Sequence, residues 1–210
     1  MFPLPAFRFY PIIDTEVCAS RGVDPHAAAV ACFRGGARLL QVRVKGSTSA
    51  EFLSLAEHIV AAAAGTGATV IVNDRADIAR LAAAGGVHVG QEDLPVESAR
   101  AIVGTGLVGV STHQPRQVEE ALRTSADYVA VGPVHGTLTK ATGYGPRGLD
   151  LVRYAAAGGK PVVAIGGITL STAPDVLEAG AASVAVISDL LSTGDIEARA
   201  GEYVRILESG

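Results

Sequence analysis

Arg38-Leu39-Leu40-Gln41-Val42-Arg43-Val44-Lys45 is the stretch that decides how this chain is built. Its apolar beginning reads as a strand, and its end carries polar side chains at positions i, i+2 and i+4. On a strand, Gln41, Arg43 and Lys45 therefore share one face. Two settings accommodate such a face: the solvated side of a half-exposed edge strand, or the inside of a barrel near its mouth. In the second, an amide, a guanidinium and an ammonium converge on one small volume suited to a polyanionic ligand. The neighbouring sequence decides between them.

Outward from this stretch, short apolar runs recur at Phe9 to Ile13, Ala37 to Val42, Ala68 to Val72, Gly86 to Val89, Leu107 to Val110, Tyr128 to Val131, Pro161 to Ile165 and Ser183 to Ile187. They are mostly uninterrupted rather than alternating, as parallel strands covered on both faces require. Between them the pattern predicts helices over Asp24 to Arg34, Thr48 to Ala64, Arg75 to Ala84, Val96 to Ile102, Pro115 to Arg123, Leu149 to Ala157, Ser171 to Ala179 and Asp195 to Leu207. Thr48 or Ser49 is placed to cap the second of these, and Gly35-Gly36, Gly85-Gly86, Gly158-Gly159 and Gly180 are read as left-handed stops. Eight strand-helix units within 210 residues fit one compact α/β domain over 1–210, a (β/α)8 TIM barrel. A doubly wound open sheet is the competing architecture, but its Gly-x-Gly-x-x-Gly fingerprint is missing after the first run, where Asp14-Thr15-Glu16 stands.

Composition narrows the function. Hydrophobic residues make up 49% of the chain and charged residues 18%, a balance that describes a packed globule. A net charge of -4 argues against a general nucleic-acid surface, so an anion site must be local. The two cysteines, Cys18 and Cys32, lack metal-ligand spacing and read as free thiols. No secretory pattern or membrane-length apolar run is seen, so no membrane partner is expected and the cytoplasm is the expected compartment. Self-association into a homo-oligomer is left open.

In a barrel, function gathers where strands end. Strand two ends in Gln41, Arg43 and Lys45, strand three in Asn73-Asp74, strand four in Gln91-Glu92-Asp93, and strand five in Ser111-Thr112-His113. Strand six opens a long loop containing Thr137, Thr139 and Lys140, residues suited to a phosphate, on a segment of the kind that forms binding elements. Gly166-Gly167 after strand seven and Ile187-Ser188 after strand eight offer backbone N–H groups and a hydroxyl, the usual phosphate cradle of the fold. Asp74 and Asp93, on neighbouring strand ends, make a natural Mg²⁺ pair, although each could instead cap the helix that follows it. His26 and His58 fall on helices, and His88 lies inside strand four as a packing residue. His113 and His135 lie near the mouth, where either could shuttle a proton.

Taken in order, Gln-x-Arg-x-Lys (41 to 45), Val-Asn-Asp-Arg-Ala-Asp (72 to 77), His-Val-Gly-Gln-Glu-Asp (88 to 93), Gly-Val-Ser-Thr-His (109 to 113), Asp-Tyr-Val-Ala-Val-Gly-Pro (127 to 133), Thr-x-Thr-Lys (137 to 140), Ala-Ile-Gly-Gly-Ile (164 to 168) and Val-Ile-Ser (186 to 188) resemble the thiamine-phosphate synthase family over most of the chain. The resemblance implies a (β/α)8 barrel, and a transferase that joins hydroxymethylpyrimidine diphosphate to a thiazole phosphate, two phosphorylated small molecules, and releases pyrophosphate. It implies that Gln41, Arg43, Lys45, Asn73, Ser111 and Lys140 contact the pyrimidine diphosphate, with Arg43, Lys45, Ser111 and Lys140 serving catalysis. Asp74 and Asp93 would hold Mg²⁺. Thr137, Thr139, Gly167, Ile187 and Ser188 would form the thiazole phosphate site.

The match has departures. Val44 stands where the family often has an acid, His135-Gly136 replaces an aromatic-proline pair, and the 143–148 segment resembles the related thiazole tautomerase branch, which isomerises a thiazole carboxylate phosphate. That branch tends to lack the Asn-Asp pair and to carry a histidine directly after the strand-six glycine. This chain keeps Asn73-Asp74 and has Pro133 there, so the synthase leads. A third alternative is a barrel that binds thiamine intermediates without turning them over, against which Asp74, Asp93 and Lys140 argue.

Overall fold

The computed structural model describes residues 7–136 and 145–208. Eight parallel strands, β1 (Phe9–Asp14), β2 (Leu39–Arg43), β3 (Thr69–Asn73), β4 (Gly86–Val89), β5 (Leu107–Thr112), β6 (Tyr128–Val131), β7 (Val162–Ile165) and β8 (Ser183–Val186), close in sequence order, with β8 pairing back to β1. The expected (β/α)8 barrel is the observed one. Every run read as a strand lies on a strand, with ends shifted by no more than about two residues.

The described helices are α1 (Thr15–Ser20), α2 (Pro25–Arg34), α3 (Ser49–Ala63), α4 (Ala76–Leu81), α5 (Val96–Val103), α6 (Pro115–Leu122), α7 (Asp150–Ala156), α8 (Ala173–Glu178), α9 (Ser188–Leu191) and α10 (Ile196–Glu208). α1 and the short α9 are additions to the expected set. α3 starts at a reciprocal capping box, in which the Thr48 hydroxyl accepts from the Glu51 amide and the Glu51 carboxylate accepts from the Thr48 amide. Of the expected glycine stops, Gly36, Gly159 and Gly180 have positive φ, but Gly85 and Gly86 do not. The left-handed residue after α4 is Ala83, and Gly86 is required for a different reason: a Cβ there would sit 2.2 Å from the Leu107 carbonyl oxygen of the adjoining strand.

Two apolar layers hold the barrel. The outer one packs strands against helices and includes Ile13, Leu40, Val72, Val129, Val184 and the α10 residue Tyr203, whose ring stacks on Phe9 at 4.8 Å. The inner one fills the barrel with Tyr10, Ile12, Leu39, Ile71, Leu107, Tyr128, Ala130, Val163 and Ala185. This inner plug closes the lower part of the barrel, so the interior opens towards the carboxyl ends of the strands.

Candidate active site

Above the plug lies a cavity of about 760 Å³. Its lining includes Gln41, Arg43, Asn73, Ser111, Gly167, Ile187 and Ser188, seven residues named from sequence on five separate strand ends. Lys45, Asp74 and Asp93 are not on its wall, and Thr137, Thr139 and Lys140 lie outside the described residues.

β2 descends into this space. Gln41 is 3% exposed and its Nε2 donates to the Tyr10 hydroxyl at 3.0 Å. The Arg43 side chain is 11% exposed, and Lys45, beyond the end of β2, is 41% exposed at the rim. Depth, more than a shared face, separates the three residues.

Arg43 is positioned by Asp14, a residue that sequence reasoning noted only for the motif it displaces. Asp14 Oδ1 accepts from the amides of Glu16 and Val17 at 3.0 and 3.1 Å, capping α1, while Oδ2 pairs with the Arg43 guanidinium. One carboxylate thus starts a helix and aims a cation. The signal was present, since Asp14 ends a strand as Asn73 does, and the rule about strand ends applies to both.

At the rim, Lys45 Nζ donates to Asp74 Oδ2 at 2.6 Å. Neither acid caps the helix that follows it: the N-cap positions of α4 and α5 are Arg75 and Pro95, and neither makes a side-chain capping bond. Asp74 has φ +63°, an unusual backbone conformation for a side-chain-bearing residue, and its amide donates to the His88 carbonyl at 2.7 Å. Asp93 Oδ2 accepts from the Gly90 amide at 2.7 Å. Burial, then the hydrogen-bonded Asp74 carboxyl beside it, push the Asp93 carboxyl above its usual range, while the Gly90 amide and Lys45 act the other way. Two crowded carboxyl groups of this kind offer hard oxygen donors to a cation. Among the described residues no cluster of three or more acids, histidines or cysteines could hold a metal alone. The pair therefore fits an ion that takes its remaining ligands from water and substrate oxygens, as Mg²⁺ does.

The opposite wall is built from backbone. Gly166 and Gly167 have φ of +104° and +63°, and an added Cβ would meet Pro133 Cα at 2.6 Å or the Gly136 carbonyl oxygen at 2.5 Å. Ser188 opens α9, and the next residue, Asp189, accepts from the Tyr203 hydroxyl at 2.6 Å. Burial first, then the Asp189 carboxylate, raises the Tyr203 phenol.

The histidines separate clearly. His88 is buried but lines the cavity and bonds to Ser111 and Tyr128, so it is more than packing. His113 also lines the cavity, its Nδ1 donating to the Gly132 carbonyl at 2.6 Å. His135 is not on the cavity wall, and its Nε2 is buried with no partner among the described residues. Cys18 and Cys32 are free and buried, as expected. No helix among the described residues is long and apolar enough to cross a membrane.

Residues 9–190 match the family described as thiamine monophosphate synthase. This chain belongs to that family. It is 45% identical over 191 residues to a thiamine-phosphate synthase of Anaeromyxobacter dehalogenans, covering 90% of this chain and 86% of that one. It is 42% identical to another from Koribacter versatilis, covering 96% of each. The solved structure of a thiamine phosphate pyrophosphorylase from Pyrococcus furiosus superimposes with a TM-score of 0.89 at 28% identity, covering 98% of both chains.

Proposed function

We propose that this family member is a Mg²⁺-dependent thiamine-phosphate synthase acting in the cytoplasm. It joins 4-amino-2-methyl-5-hydroxymethylpyrimidine diphosphate to thiazole phosphate, giving thiamine phosphate and pyrophosphate. The observation that carries this reading is one cavity walled by Gln41, Arg43, Asn73 and Ser111 on one side, with the Lys45–Asp74 pair beyond its edge, and by the Gly166-Gly167 backbone on the other. A family of this name and relatives so named at 42 to 45% identity support the same chemistry.

In the reaction, the bond between the pyrimidine methylene and the diphosphate oxygen breaks, and pyrophosphate leaves with the electron pair. The aminopyrimidine feeds electrons into the methylene carbon, and the thiazole nitrogen lone pair closes the new C–N bond. The protein's part is to stabilise the departing anion and hold the nitrogen in line. Gln41 and Asn73 orient the pyrimidine, with Arg43, Lys45, Ser111 and Lys140 meeting the diphosphate. Thr137, Thr139, Gly167, Ile187 and Ser188 hold the thiazole phosphate. Asp74 and Asp93 would hold Mg²⁺, which supplies positive charge to the diphosphate oxygens.

The direct test is incubation with both phosphorylated substrates and Mg²⁺, measuring pyrophosphate and thiamine phosphate. Stoichiometric release of the two is expected. Interconversion of thiazole tautomers without either product would replace this reading with the tautomerase. Removing one preorganised donor typically costs about 3 to 4 kcal/mol of transition-state stabilisation, so Lys140→Ala is expected to slow turnover by roughly a hundredfold or more.

A further inference from the structure

Four side chains from β1, β4, β5 and β6 form a continuous hydrogen-bonded line across the barrel interior to Gln41 on β2. Gln41 Nε2 donates to Tyr10 Oη at 3.0 Å, and Tyr10 Oη lies 3.0 Å from Tyr128 Oη. Tyr128 Oη lies 3.0 Å from His88 Nδ1, and His88 Nε2 lies 2.8 Å from Ser111 Oγ. The line exists because Gly109, paired in register with both His88 and Tyr128, has no side chain. The Tyr128 ring fills that space, where a Cβ would come within 2.0 Å of its Cζ.

Counting protons gives the line a direction. Burial raises both phenols far above their ordinary range, so each keeps its single proton. Because Gln41 donates to Tyr10, the arrangement that uses every buried donor runs one way: Tyr10 donates to Tyr128, and Tyr128 donates to His88 Nδ1. His88 must then carry its proton on Nε2 and donate it to Ser111. In the reverse direction the Tyr10 proton would have no acceptor in the line, which a buried site disfavours.

We infer that Tyr10, Tyr128 and His88 are positioning residues, a polarised hydrogen-bond line that locks the Gln41 amide in one orientation and turns the Ser111 hydroxyl proton out to the cavity. The consequence for specificity rests on the pyrimidine reading of the preceding section. With one N–H spent on Tyr10, Gln41 has its other N–H and Oε1 side by side for the ligand. That donor–acceptor pair complements the ring nitrogen and amino group of a 4-aminopyrimidine. A 4-oxopyrimidine carries N–H and C=O in their place, opposes both groups, and is rejected. Without the line the amide can turn over and accept either ring.

Two measurements test this. Nitrogen chemical shifts of the His88 ring in the native, ligand-free protein are expected to show the proton on Nε2 alone; a proton on Nδ1, or on both nitrogens at neutral pH, overturns the line. Calorimetry with Mg²⁺ and unreactive methylene-bridged analogues of the 4-amino and 4-oxo diphosphates is expected to show a preference on the order of a hundredfold or more for the amino ring. In Tyr10→Phe that preference should shrink by about tenfold, through weaker binding of the amino analogue and stronger binding of the oxo analogue. Equal losses for both analogues would mean simple structural damage and would overturn the selectivity role. Native protein that binds neither analogue would overturn the substrate reading instead, whatever the His88 proton shows.

Discussion

On the proposed function, both halves of the barrel mouth would hold an anion, and they are built of different materials. Along β1 to β5 the wall and its rim carry side chains: Arg43 on the wall pairs with Asp14, and at the rim Lys45 pairs with Asp74, which crowds Asp93. Along β7 and β8 it is made of backbone, with Gly166 and Gly167 in conformations and spaces that no Cβ would share. A paired charge can be removed with little change of shape, whereas a methyl added to the glycine wall must move the chain. The first half should therefore fail in turnover and the second in stability and in binding of one substrate.

The largest expected effect is on turnover. Asp74→Asn and Asp93→Asn should each lower kcat by about 10² to 10³-fold, the scale of losing preorganised charge at a leaving group. Chelation of Mg²⁺ should abolish product, and re-addition should restore it in the native protein. Neutralising Asp93 also removes a carboxylate that burial and Asp74 disfavour, so its Tm should hold or rise as activity falls. Loss of Tm and rate together would show that the two acids act as structure.

Gly166→Ala tests the other half. Its backbone conformation alone should cost about 1 to 3 kcal/mol, before the contact with Pro133 is counted. For a domain of this size that lowers Tm by roughly 2 to 4 °C per kcal/mol. KM for the thiazole phosphate should rise by about tenfold while KM for the pyrimidine diphosphate changes little. Equal changes in both would erase the division into two walls.

Asp14→Asn crosses the division, because Asp14 is a buried charge that also supports backbone. Asparagine can still cap α1, so the substitution isolates the loss of charge beside Arg43. Left with only Glu16 at 3.9 Å, the mostly buried guanidinium should cost about 2 kcal/mol, less than the full penalty because Arg43 also borders the open cavity. The diphosphate should then raise Tm more in the variant than in the native protein. Turnover should fall by about fivefold, through misalignment of Arg43.

The same contrast explains what could be read from sequence. Strand positions were legible because parallel strands are apolar on both faces, and strand-end residues such as Gln41, Asn73 and Ser111 were legible because polarity breaks that pattern. The uniformity that reveals such a strand hides which residues point inward. Tyr10 and Tyr128 therefore gave no sign of meeting inside the barrel, and His88 read as packing. Glycine was ambiguous for a related reason: it serves a left-handed turn at Gly36 and a close strand contact at Gly86, and the letter is the same. Asp14 was missed although it obeys the strand-end rule, and Thr137, Thr139 and Lys140, expected at the phosphates, lie outside the described residues.

The smallest effect concerns the thiols beneath the side-chain wall. Burial pushes Cys32 up to about 12 and Cys18 up to about 11, the latter helped by the charges of Asp14 and Asp24 and opposed by Arg21. A thiol raised in the folded state contributes stability that is complete below its unfolded value near 9, and that is lost as pH climbs through 11 to 12. Tm should therefore be insensitive to these groups up to about pH 9 and fall above it, and Cys32→Ala should flatten that alkaline fall. At pH 8 a thiol reagent should leave the native protein unmodified and titrate both cysteines once it is unfolded. Asp14→Asn removes one of the charges that raise Cys18, so labelling of Cys18 should accelerate with little change at Cys32. Equal acceleration at both would mean that the variant opens the whole first strand and helix, in which case Asp14 belongs with the glycines as backbone support.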